Sequence, residues 1–210
     1  MAVGGVARAG TKSVTFRRIA PFVVAALVVA GIVAAIAVAG PNTVQDGNDT
    51  RGVLDVKSVR WSHPDSEPPT WKVVTFDGWS AHKLWDRGYL YVLVDTVGGE
   101  PADYAAQVRS DGRRLSGVLY RLGRGDNDRD VVVSALTVRK PGAAAVTVRI
   151  PLKRMKFGPA RTFYRWWTVT TLSGEKCPSV CVDRAPNDGS VLRYRPGMSP
   201  TPTVTASDTP

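Results

Sequence analysis

Metal-binding and redox side chains are scarce in this chain: 210 residues carry two histidines and two cysteines. A zinc centre needs four well-spaced ligands, and His63 and His82 lie far upstream of Cys177 and Cys181 and in different segments, so a Cys/His site is not assembled from this sequence. Three intervening residues between the cysteines, and no βαβ context, also argue against a thioredoxin-type pair, which leaves a structural disulfide as the expectation and free thiols as the alternative. Catalytic signatures are missing as well. No G-x-S-x-G elbow, H-E-x-x-H helix or G-x-x-x-x-G-K-[ST] loop occurs. His82 and Asp86 stand four apart without a plausible nucleophile nearby, and His63 sits in a Pro-rich loop. The expectation is a protein that is not an enzyme, with a carboxylate-dependent hydrolase as the alternative.

Acidic residues are few: 18 against 28 basic ones, and none among the first 40 positions. Those positions hold four cations, Arg8, Lys12, Arg17 and Arg18. Residues 19–40, "IAPFVVAALVVAGIVAAIAVAG", carry no charged or strongly polar side chain. As a helix, 22 residues reach roughly 33 Å, enough to cross a hydrocarbon core. Pro21 falls in the first turn, where its missing N–H has no intrahelical partner in any case. The cationic flank precedes the span and no Lys or Arg follows it before Arg51, so the positive-inside bias keeps residues 1–18 cytoplasmic. The prediction is an uncleaved signal anchor at the cell membrane, N-terminus in and everything else extracytoplasmic. Ala37-Val38-Ala39 also fits a signal-peptidase site, and cleavage there would give a secreted protein.

Positions 41–52 read as a polar linker, with Asn48-Asp49-Thr50 matching a glycosylation sequon. Beyond it, apolar runs of strand length recur with turn residues between them: 53–61, 70–78, 88–96, 103–110, 113–121, 130–140, 143–152, 162–172 and 190–195. Asp111-Gly112 and Pro141-Gly142 join adjacent runs as short turns, which makes neighbours antiparallel. Val146, Val148 and Ile150 share one face, Thr147 and Arg149 the other. Nine such strands without intervening helical periods predict an all-β domain over 53–195, an antiparallel two-sheet β-sandwich, with a barrel as the rival. Residues 196–210, rich in Pro, Thr and Ser, read as a disordered tail.

Within this domain Cys177 and Cys181 are expected to close a small disulfide loop, as befits an oxidising compartment. Asp95, Glu100 and Asp103 flank a Gly-Gly turn. They could offer oxygens to Ca²⁺, the only cofactor considered, or simply satisfy backbone N–H groups of the turn. Asp126, Asp128 and Asp130 begin like a calcium loop, but Val131 and Thr137 occupy the positions where Gly and Glu are needed. Between Arg109 and Arg165 there are 14 Lys or Arg against four Asp. Lys153, Arg154, Lys156, Arg161 and Arg165 are interleaved with aromatics there, a pattern suited to anionic envelope polymers or lipid head groups; on alternating strands the same residues can be a plain solvated face. Nucleic acid is not an expected partner outside a membrane.

The segments "YLYVLVDTVGGEPADYAAQVRSDGRRLSGVLY", "PLKRMKFG", "YRWWTVTT" and "CPSVCVDRAPNDGSVL" together resemble exported bacterial β-sandwich domains with a closing Cys-x-x-x-Cys and Asp-x-Ala-Pro segment. The resemblance covers about residues 53–195 and is distantly similar to DOMON and carbohydrate-binding sandwiches. It implies a fold, and no activity or site residue follows from it; the non-catalytic binding or scaffolding role at the envelope is expected from the topology, the charge and the missing catalytic motifs.

Overall fold

A computed structural model describes residues 42–63, 68–99, 101–125, 128–159, 161–174 and 176–194. The basic N-terminus, the apolar span 19–40, Glu100, Asp126 and the tail 196–210 lie outside the described residues. Among the described residues no helix is long and apolar enough to cross a membrane.

The described chain is antiparallel β throughout, in eleven strands: β1 (Thr43–Gln45), β2 (Val56–Ser62), β3 (Thr70–Thr75), β4 (Gly88–Asp95), β5 (Tyr104–Ser110), β6 (Leu115–Arg121), β7 (Val131–Gly142), β8 (Ala145–Arg149), β9 (Phe163–Gly174), β10 (Cys177–Ala185) and β11 (Val191–Tyr194). A single helical turn, α1 (Ala81–Leu84), precedes β4, and its N-cap Ser80 accepts the Lys83 N–H. All nine apolar runs become strands.

Two further strands were not expected. The segment read as a linker contributes β1, which pairs with β2 through Val44 and Val59. The cysteine segment, read as a loop, forms β10 along β9, with a bulge between Cys177 and Val180. Pro141-Gly142 also lies inside β7, and Ala143-Ala144 make the turn into β8.

Hydrogen bonding joins the strands in one continuous sheet, ordered β1-β2-β3-β8-β7-β6-β5-β4-β9-β10, with β11 also on β9. The sheet turns back on itself at β7. Residues 131–136 of that strand pair with β6, and residues 137–142 pair with β8. Bulges in both ladders increase the local twist there. Strand β9 is the second organiser. One of its edges pairs with β4 over Arg165–Leu172, while the other is shared by β11 and β10.

Alternation sends every second residue into the space the curled sheet encloses. From β4 these are Leu90, Val92 and Val94, from β8 Val146 and Val148 with Ile150 following, and from β9 Tyr164 and Trp166, each at most 3% exposed. Trp71 of β3 meets Trp166 edge to face at 6.1 Å and 84°, which links the two halves across the core. Such a contact adds about 0.5–1.5 kcal/mol beyond the area it buries.

Candidate functional site

The β4–β5 turn is built around two carboxylates. Asp95 ends β4, and its Oδ1 accepts the N–H groups of Val97 (3.1 Å) and Gly98. Asp103 precedes β5, and its Oδ2 accepts from Thr96 N (2.8 Å) and Val97 N (2.9 Å). Each carboxylate also takes an arginine: Arg161 lies 3.5 Å from Asp95, and Arg124 donates to Asp103 Oδ1. Burial works against the charge of Asp103, but the Arg124 guanidinium and the Thr96 and Val97 N–H groups outweigh it and hold the carboxyl below its usual range. A general acid for hydrolysis needs the opposite shift.

Gly98 is required at this turn. Its φ is +100°, and the Arg161 guanidinium packs against the position a Cβ would occupy. The same turn fixes the basic segment that follows β8. The Thr96 hydroxyl donates to the Lys156 carbonyl (2.7 Å), the Lys156 N–H donates to the Tyr104 hydroxyl (2.7 Å), and the Gly158 N–H donates to the Thr96 carbonyl (3.2 Å). Lys156 is thereby held with its side chain exposed, although its backbone is anchored over the core.

A shallow open groove runs beside this turn, lined by Arg121, Arg124, Arg129 and Lys156 with Asp103 and Asp128. Three of its cations come from one stretch, the end of β6 and the β6–β7 connection, and the fourth, Lys156, from the segment after β8. Of the five cations singled out in the sequence, Lys156 lines this groove. Lys153 and Arg154 are exposed on a short 3-10 turn, Leu152–Arg154. Arg161 is engaged with Asp95 and covers the Phe163 ring at 4.7 Å. Arg165 is exposed on β9, opposite Asp95 in the ladder. Sequence reading counted Arg121, Arg124 and Arg129 in the basic stretch but did not single them out; only the folding of β6 toward β7 places them beside Lys156.

The other candidates are placed as follows. Asp130 accepts the Gly123 N–H (3.1 Å), closing the β6–β7 connection. His63 stacks on Trp61 with ring centroids 6.1 Å apart. His82 is exposed on α1, and Asp86 occupies the turn after it with φ 59°.

Cys177 and Cys181 form a disulfide that spans the bulge of β10, with Cα atoms 5.5 Å apart. Cys177 packs into the core beside Leu172 and Gly52. Gly52, at φ +101°, admits this contact because a Cβ there would lie 2.6 Å from Leu172 Cδ2. The disulfide therefore backs the loop from Asp46 to Asp55, where a second carboxylate group gathers. Oxygens of Asp49, Asp55 and Asp183 lie within 4.8 Å of one another, and Asp46 adjoins them. Sequence reading did not find this group, since Asp49 sits in the presumed linker, Asp55 in the first apolar run, and Asp183 more than 120 positions away.

No family model matches the chain, and no curated protein or solved structure matches it.

Proposed function

We propose that the protein is a single-pass membrane protein whose extracytoplasmic β domain binds anionic groups of the cell envelope without catalysing a reaction. The observation that carries this reading is the groove at the β4–β5 turn. Among the described residues, Arg121, Arg129 and Lys156 line it without an ion-paired carboxylate, while Arg124 is committed to Asp103. Cations from separate segments gathered on one open surface raise the local potential for phosphate or carboxylate groups. An open, cationic groove suits a polymer or a membrane surface better than an enclosed small molecule. The apolar span 19–40, read as a membrane anchor, supports this reading because it would keep the domain near such surfaces. The finer description of the fold as a two-layer sandwich is supported by the division of β7, whose first half pairs with β6 and second half with β8.

The test is retention of the full chain by anionic phospholipid vesicles and, in a separate arm, by a soluble polyphosphate resin, each against a neutral control. Wild-type protein should be retained by at least one of them at about 0.05 M salt and released by about 0.5 M, where screening shortens the Debye length to a few ångströms. Arg121→Gln, Arg129→Gln and Lys156→Gln combined should remove most of the retention while the far-ultraviolet spectrum stays unchanged. Retention that ignores salt and the triple substitution overturns the reading. The two arms separate lipid head groups from polymer as the source of the anion.

A further inference from the structure

We propose that Asp49, Asp55 and Asp183, with Asp46 beside them, form a binding site for a calcium-type divalent cation, separate from the cationic groove. The argument begins with chain geometry. The loop between β1 and β2 brings Asp46, Asp49 and Asp55 to the open edge of β10, where Asp183 projects inward. One oxygen from each of Asp49, Asp55 and Asp183 lies within 4.8 Å of the others. The ion pairs Arg114–Asp111, Arg124–Asp103 and Arg161–Asp95 involve none of the four. A gathering of like charges without a counter-ion is unfavourable unless the groups are protonated or a cation joins them.

The second observation is independent of the clustering. Asp55 is 3% exposed, and its Oδ1 is sealed from solvent and accepts from no donor. Asp46 Oδ2, on the same loop, is likewise buried without a donor. Buried carboxylate oxygens are normally hydrogen-bonded, and orphaned ones that face other carboxylates are what an oxygen-ligated cation satisfies. The remaining oxygens are used to fix the arrangement. Asp183 Oδ2 accepts the Val56 N–H at 2.6 Å and its Oδ1 the Arg184 N–H at 2.7 Å, while Asp49 Oδ2 accepts the Asn187 side-chain amide at 2.9 Å. The carboxylates are thus held in position from three segments of the chain.

The ligand class follows from the donors. All are hard oxygens, with no imidazole or thiolate among them, which selects against zinc and copper. Calcium accepts irregular carboxylate sites on loops and completes its shell with water and carbonyl oxygens, whereas magnesium demands near-octahedral geometry and gives up water reluctantly. A disulfide backs the loop through Gly52, so the site does not have to be ordered from a free chain when the ion binds.

The full chain, stripped of metal with a chelator and purified in detergent, should be titrated with calcium chloride by calorimetry and melted with and without it. Magnesium chloride forms a parallel arm. The expected result is one saturable site with a dissociation constant of about 0.1–1 mM, the range of extracellular calcium modules. Saturating calcium should raise Tm by about 5 °C. Asp55→Asn and Asp49→Asn should each weaken calcium binding at least tenfold. Asp49 is exposed, so its substitution keeps the test decisive should Asp55→Asn fail to fold. Asp95→Asn should leave the calcium response intact. Absence of binding, binding that survives Asp49→Asn, an equal response to magnesium, or a response lost only in Asp95→Asn would each overturn the proposal.

Discussion

Asp183 Oδ2 accepts the Val56 N–H at 2.6 Å, across 127 positions of sequence. The bond ties β10 to β2, near opposite ends of the strand order, and so draws the curled sheet together. Asp183 is 3% exposed, and the amide it serves belongs to a fully buried residue. Replacing Asp183 by Ala leaves that N–H without its acceptor and should cost about 1–3 kcal/mol. Asp183→Asn keeps an oxygen there and removes a like charge from beside Asp49 and Asp55, so it should cost measurably less. Urea denaturation of both variants in chelator decides this, and equal losses would show that repulsion plays no part.

The Asp103 carboxyl, held below its usual range, makes a second test. An acid of this kind contributes stability above its unfolded value, near 3.8, and the contribution disappears as pH falls through the lower folded value. Asp103→Asn should therefore be less stable than the parent at pH 7, with the gap closing below about pH 4. Thermal melts of the two proteins across that interval give the comparison. A gap that stays constant in acid would mean that the Asp103 charge contributes nothing.

Reduction of Cys177–Cys181 is expected to lower stability by about 2 kcal/mol, because the loop closed is so short. The effect should also reach the Asp46–Asp55 loop, which the sulfur packs against through Gly52. Cys181→Ser in a denaturation series measures the first effect. Amide exchange at residues 46–55 measures the second, and two labelled thiols in the native oxidised protein would refute the bond itself.

Gly52→Ala combines a left-handed backbone with a Cβ against Leu172, and a loss of about 1–3 kcal/mol is expected. Gly47, with open space around it, is the control. Gly47→Ala should be close to neutral in the same melt.

A reporter fused after Pro210 should be active only outside the cytoplasm if Arg17 and Arg18 hold the N-terminus inside. Activity of a cytoplasmic reporter at that position would reverse the topology.

Much of the sheet was legible because its strands alternate cleanly. Val146, Val148 and Ile150 are at most 1% exposed, as their spacing required, while Thr147 and Arg149 lie on the outer side. Strand β10 escaped because the Cys177–Cys181 segment read as a small disulfide loop following β9. Its pairing is decided by the free edge of β9 and by the bulge the disulfide spans, neither of which is a local signal. Strand β1 is only three residues long and finds its place by pairing with β2. The Asp95 and Asp103 turn could be foreseen, since Asp beside glycines serves backbone N–H groups. Their arginine partners could not, because Arg124 and Arg161 reach them only after β6 and β9 are in place. The gathering of Asp49, Asp55 and Asp183 depends wholly on closure of the sheet.

Strand β3 lies between β2 and β8, and some seventy residues separate it from the latter. Synthesis runs from the N-terminus, so the β2–β3 hairpin is complete long before Ala145–Arg149 exists to cover its open flank. During that interval the apolar side of Trp71 and Val73 has no lid, and unpaired amides invite association with other chains. Lys72, pointing outward from the middle of the waiting strand, is the kind of residue that discourages such encounters. Ribosome pausing between Thr75 and Ala145 would lengthen the exposure, and aggregation during production should rise with it.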